Sequence, residues 1–218
     1  MRIRLLVFTA VLMVLALGSR PAHATFHLMQ IEQVIGGVSG DTTAQAIQLR
    51  MRAAGQGGVS QGRLVAYDHD GKNPVVLIDF PTDIFPEQAG SRILITSAGF
   101  ASHTMPAAVA DFTLTNLIPS SYLAAGSLTF ERDSGSVLWR LSWGGSAYTG
   151  SNRGERTNDR NRRFGPPFDG PLPSTGTEAL QFQGAASDKS TNNADDYDLT
   201  TGPAVFTNHA GQSFVVEP

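Results

Sequence analysis

The chain has 218 residues, with 16 basic and 19 acidic side chains, 23 glycines, 12 prolines and no cysteine. That length suits one domain with a core that holds without metal or disulfide, and 41% hydrophobic against 16% charged residues excludes a disordered chain. The missing cysteines exclude thiol catalysis, cysteine-ligated zinc and a lipid-modified cysteine.

In chain order, Arg2 and Arg4 precede an apolar run over 5–18, and Ala22-His23-Ala24 forms an A-x-A site. Residues 1–24 therefore read as a signal peptide, because this 14-residue run is shorter than the roughly 20 residues that cross a bilayer. The product is expected to be secreted or periplasmic, without a membrane anchor after signal removal, as a single domain over 25–218. Removal of Arg2, Arg4 and Arg20 leaves 13 basic against 19 acidic side chains, a formal charge of −6. Delocalised nucleic-acid binding is not expected of so acidic a chain, since that mode needs excess cations to displace counterions from phosphates.

Beyond the signal, alternation dominates. Ala46, Ile47, Leu49 and Met51 interleave with Gln48, Arg50 and Arg52, which predicts a strand with one buried and one wet face over 45–52. Leu64 and Ala66, Leu128 and Phe130, and Val137, Trp139, Leu141 and Trp143 repeat the pattern, the last against Arg140 and Ser142. The apolar runs 75–80 and 93–95 read as central strands buried on both sides. Further strands are expected at 28–35, 109–115, 179–183 and 204–207. Asp133-Ser134-Gly135 reads as a three-residue hairpin connection, and 119–125 as a short helix or single turn. Residues 144–177 hold seven glycines and four prolines with almost no alternation, which predicts one long irregular loop. A second polar stretch runs over 188–198.

These elements define an all-β antiparallel sandwich. Leu28-Met29-Gln30-Ile31-Glu32, Ala46-Ile47-Gln48-Leu49, Leu64-Val65-Ala66-Tyr67-Asp68-His69-Asp70-Gly71, Ile93-Leu94-Ile95, Gly126-Ser127-Leu128-Thr129-Phe130, Gly135-Ser136-Val137-Leu138-Trp139 and Trp143-Gly144 follow one another in an order that resembles a lamin-tail-like domain of bacterial exported proteins. Gln48 stands where that family usually has Glu. The resemblance implies an immunoglobulin-like β-sandwich that serves as a binding or structural module and carries no catalytic residues.

Five patterns could carry chemistry. Gly58-Val59-Ser60-Gln61-Gly62 matches G-x-S-x-G, the turn that presents a nucleophilic serine between a strand and a helix. Here an alternating strand follows instead, so a serine hydrolase through Ser60 is the alternative and not the main reading. No cofactor is expected, although Asp68, Asp70 and Asn73 offer oxygen ligands at a turn, which would suit calcium, and a calcium-dependent carbohydrate-binding module using the long loop is a third reading. His27, His69, His103 and His209 are not spaced to share one face, which argues against zinc. Trp139 is expected in the core, and Trp143 either there or exposed beside Gly144-Gly145.

The remaining pattern is electrostatic. Arg153, Arg156, Arg160, Arg162 and Arg163 face only Glu155 and Asp159 in the same loop, while Asp188, Asp195, Asp196 and Asp198 face only Lys189. The arginines either bind a partner, an unknown protein or an anionic polymer, or pair internally, with Arg160 and Arg163 on Asp195 or Asp196. Internal pairing is the expectation. The reading as a whole is an exported, non-catalytic binding or structural module.

Overall fold

The structure, a computed structural model, describes residues 25–218. The expected signal peptide at 1–24 lies outside the described residues. Thirteen strands follow in order: β1 (Met29–Ile35), β2 (Ala46–Met51), β3 (Gly62–Tyr67), β4 (Val75–Asp79), β5 (Arg92–Thr96), β6 (Thr104–Met105), β7 (Phe112–Thr113), β8 (Gly126–Arg132), β9 (Val137–Trp143), β10 (Leu180–Phe182), β11 (Tyr197–Leu199), β12 (Val205–Thr207) and β13 (Ser213–Val216). A single helical turn, α1 (Asn193–Asp196), precedes β11. They assemble into a six-stranded sheet ordered β11-β10-β1-β2-β5-β7, a four-stranded sheet ordered β4-β3-β8-β9 and a three-stranded sheet ordered β12-β13-β6. Pairing is antiparallel except between β5 and β7.

The two larger sheets form an antiparallel β-sandwich. Alternate residues of β2 and β5 (Ile47, Leu49, Met51, Ile93 and Ile95) meet Leu64, Leu128, Phe130, Trp139 and Leu141 of the opposing sheet in one continuous core. The intervening positions Ala46 and Leu94 point the other way, into a second core with Phe206, Phe214 and Val216 of the three-stranded sheet. Period-two alternation thus serves two apolar layers at one end of the six-stranded sheet.

Both tryptophans of β9 are fully buried. The Trp139 indole N–H donates to Tyr197 Oη at 2.8 Å, and that of Trp143 donates to the Tyr122 carbonyl at 2.8 Å. The hairpin at Asp133-Ser134-Gly135 forms as expected, with Gly135 at φ 86 and the Gly135 N–H on the Arg132 carbonyl at 2.8 Å. The segment at 119–125 is one 3-10 turn, Ser120–Tyr122.

The wet faces expected of β2 and β9 are not wet. Gln48 of β2 is buried and accepts from the Thr207 N–H of β12, Glu32 of β1 is buried beside it, and on β9 Arg140 and Ser142 are buried beneath the long loop. A polar stripe marks the side away from the main core; what covers it is decided by segments with no periodicity of their own. The run at 75–80 is corrected as well: β4 is the edge of its sheet, with Val76 and Asp79 exposed. Its outer edge is closed by loop groups, since Thr115 and Asn116 donate backbone N–H groups to the Leu77 carbonyl. Of 109–115 only Phe112–Thr113 is strand, and β6, β11 and β13 were not expected. The alternation of Phe214 and Val216, buried between exposed Ser213 and Val215, is the signal that marks β13.

Residues 144–177 contain no strand among their described residues, yet they are ordered by packing. Phe164 is buried against Trp139, with ring centroids 5.7 Å apart. The loop supplies the edge of β9 with partners: Glu155 N–H donates to the Val137 carbonyl at 2.9 Å and Phe168 N–H to the Ser142 carbonyl at 2.9 Å. Gly144 is required where the loop leaves β9, because its φ is 95 and a Cβ there would lie 2.5 Å from that of Ala125.

Candidate anion-binding site

The long loop carries its arginines on a small hairpin. Arg153 and Arg163 are directly opposed in an antiparallel bridge, fixed further by Phe164 N–H on the Asn152 carbonyl at 2.8 Å. The turn between them is built around Asp159, a buried carboxylate whose Oδ1 accepts from the backbone N–H groups of Asn161 (2.7 Å) and Arg163 (2.9 Å). Its Oδ2 is buried without a hydrogen bond. This turn holds Arg162 at φ 68, a left-handed conformation that costs an L-residue about 1 kcal/mol or more and that glycine would adopt freely.

All five arginines are exposed. Among the described residues none of their guanidinium groups forms a salt bridge or donates a hydrogen bond. Two adjoining depressions open between them. One, of about 320 Å³, is lined by Arg153, Gly154, Asn161, Arg162 and Arg163. The other, of about 400 Å³, is lined by Gly154, Glu155, Arg156, Thr157 and Arg162. Arg162 and Gly154 belong to both. Glu155 is occupied elsewhere, its Oε1 on Arg132 Nη1 at 2.5 Å, so its charge is already compensated.

The expected pairing of Arg160 and Arg163 with Asp195 or Asp196 does not occur. The two segments do meet, through backbone groups: Asp159 bridges Ser190, Arg160 N–H donates to the Ser190 carbonyl at 3.1 Å, and Ser190 N–H donates to the Asn158 carbonyl at 2.9 Å. The aspartates are consumed by their own turn. Asp196 accepts from Ser190 Oγ (2.8 Å), from Thr191 N–H and Oγ1 (2.5 and 2.6 Å) and from Asn192 N–H (3.1 Å), while Asp195 Oδ2 accepts from Asn192 Nδ2 at 2.6 Å. Donors a few residues away are held in place by the chain, and they win over long flexible side chains from another loop.

A residue that sequence patterning set on a wet face supplies the missing link. Arg52, just past β2, donates to the carbonyls of Asp188 (2.9 Å), Ser187 (2.7 Å) and Thr157 (3.2 Å) and to Asn158 Oδ1 (2.8 Å). One guanidinium thus ties both polar segments to the sheet, and its burial lowers its pKa from the usual value. Asn158 extends the anchorage by donating to the carbonyls of His27 (2.6 Å) and Leu138 (2.9 Å).

The other candidate residues are dispersed. Asp68 is a turn-former: Oδ1 accepts from the N–H groups of Asp70 (3.0 Å) and Lys72 (2.7 Å), and Oδ2 from Asn73 Nδ2 (2.6 Å). These bonds lower its pKa, the Lys72 N–H most of all, and they direct N–H donors into the positions a calcium ion would need. Asp70 accepts from Thr149 Oγ1 at 2.8 Å. Among the described residues no group of three or more acids and histidines could hold a metal ion. The residues expected as a calcium set, Asp68, Asp70 and Asn73, stand together at the β3–β4 connection, where Asp68 forms an Asx turn.

Ser60 sits in a 3-10 turn, Val59–Gln61, with its N–H on Asp83 Oδ1 at 3.0 Å, and β3 follows it at once. The histidines face separate partners: His69 faces Asp70 at 3.5 Å, His103 faces Asp41 at 3.3 Å, and His209 Nδ1 faces the Arg92 carbonyl at 3.1 Å. No helix among the described residues is long and apolar enough to cross a membrane. No protein-family model matches the chain, and no curated protein matches it at a significant level.

Proposed function

We propose that this chain is an exported binding or structural module without chemistry of its own, and that its binding surface is the arginine hairpin of the long loop. The observation that carries this reading is the direct opposition of Arg153 and Arg163 with no carboxylate between them. Like charges directly across a strand pair repel, and an anion seated between them turns that repulsion into a charge-assisted grip. Arg162 adds a second local penalty that any glycine would remove. A lamin-tail-like, immunoglobulin-like assignment is the architectural side of the proposal; the support for it is a pair of antiparallel sheets with Trp139 packed between them. In such a module, loops free of strand pairing carry recognition on a rigid frame.

The test is binding to dextran sulfate, a generic polyanion, at low and at physiological salt. The wild-type chain is expected to bind with an affinity that falls steeply with salt, and Arg153→Gln/Arg162→Gln/Arg163→Gln to lose most of it. Equal binding by the two proteins, or none by either at low salt, would discard the arginine hairpin as the site.

A further inference from the structure

Resting on that reading, we propose that the hairpin takes a ring-free chain of consecutive phosphate groups, one phosphate in each depression, with Arg162 between them gripping both. The charge arrangement selects phosphate. Arg153 and Arg163 are cross-strand neighbours and line the first depression together with Arg162, so a single anionic group there meets several guanidinium forks. A phosphate with up to two negative charges answers two opposed arginines; a carboxylate carries one charge and leaves the repulsion half relieved.

The duplication selects a chain. The second depression presents Arg156 and again Arg162, with the Glu155 carboxylate already bound to Arg132, and Lys189 lies alongside, its Nζ on the Arg156 carbonyl at 3.0 Å. Two cationic depressions that share Arg162 and Gly154 match two neighbouring phosphates on one ligand. The lining offers a ringed polyanion nothing beyond its charge: it holds arginine, glycine, asparagine, threonine and glutamate, and no aromatic face on which a sugar or a base could stack. The buried Asp159 is the only other acid in the hairpin, and its Oδ1 is committed to the Asn161 and Arg163 N–H groups that set the turn.

Calorimetric titration of the whole chain with orthophosphate, tripolyphosphate, a trigalacturonate and a short single-stranded oligonucleotide tests this. Tripolyphosphate is expected to bind at least tenfold tighter than orthophosphate and tighter than either ringed ligand. Arg156→Gln and Arg162→Gly should each shrink that preference for tripolyphosphate, while Arg153→Gln weakens both phosphates together. These side chains are exposed, so each variant should keep the wild-type circular dichroism spectrum.

Equal affinity for orthophosphate and tripolyphosphate would overturn the two-phosphate proposal and leave a one-anion site standing. Tighter binding of trigalacturonate or of the oligonucleotide would overturn the ligand class. Failure of all four, together with failure on dextran sulfate, would remove the site itself.

Discussion

Two groups of arginines in this molecule invite comparison. On the outer side of the six-stranded sheet, Glu32, only 2% exposed, accepts from Arg50 Nη1 (2.9 Å), from Arg92 Nε and Nη2 (2.8 and 3.0 Å) and from Gln48 Nε2 (2.8 Å). Arg50 also donates to Gln30 Oε1 at 2.7 Å and to the Gly184 carbonyl at 2.8 Å. Among the described residues, the guanidinium groups on the hairpin at 153–163 have no acceptor. Arginines that hold the sheet are paired with a buried carboxylate, and Arg50 is largely desolvated, whereas those on the loop are exposed and bare. Fold and recognition therefore use one side chain in opposite states, and the partner list of each guanidinium tells which task it has.

The largest effect should come from breaking the saturated group. Glu32→Ala leaves Arg50 and Arg92 facing each other over a buried site and is expected to lower stability by about 3 kcal/mol, read from urea unfolding. Unfolding within about 0.5 kcal/mol of wild type would mean that water already reaches this cluster.

Arg52→Ala comes next. It removes four acceptor contacts at the base of the hairpin and should lower stability by about 2 kcal/mol, with hydrogen-exchange protection lost first at 157–158 and 187–190. Uniform loss of protection across the sandwich would contradict a local clamp.

The four-stranded sheet provides a pH handle. Burial, and the hydrogen bond that Tyr67 Oη donates to Glu131 Oε1 at 2.7 Å, push the Tyr67 phenol from 10.0 up to about 12. The folded state thus holds this proton more tightly than the unfolded state. The resulting stability is complete below pH 10 and falls as the pH rises from 10 towards 12. Over that window the urea midpoint of the wild type should fall more steeply than that of Tyr67→Phe, and parallel curves would refute the linkage.

The smallest expected effect has the opposite sign. Arg162→Gly frees a left-handed residue and should raise stability by about 0.5–1 kcal/mol while weakening anion binding. A loss of stability would show that the Arg162 side chain supports the hairpin.

How much of this was legible in the sequence depended on what each residue had to be paired with. The alternation around Ile47, Leu128 and Trp139 marks core positions correctly, because apolar side chains need only a common apolar space. Gln30, Arg50 and Arg140 carry no such signal: a polar residue is buried or wet according to whether a distant acceptor covers it, and those acceptors come from 184–188, from Ser127 and from the aperiodic loop. The five arginines announced a site by composition alone. Their bareness could not be read, because it depended on Asp195 and Asp196 being satisfied by the short turn at 190–196.

The Tyr197 hydroxyl closes the sandwich by donating to the Ile31 carbonyl at 2.5 Å, across 166 residues of chain. β10 and β11 complete the sheet beside β1 in the same way, so the first strand waits for nearly the whole domain before its second neighbour arrives. Loop-closure entropy of that size must be met before those contacts return anything, which places folding in the slow, millisecond-to-second class of all-β domains. The kinetic consequence is an order of assembly: β8 and β9 pair with each other through local contacts, and that hairpin comes early. The arginine loop, anchored at Arg52, Asn158 and Ser190, takes its final shape only when the segment at 187–194 reaches it.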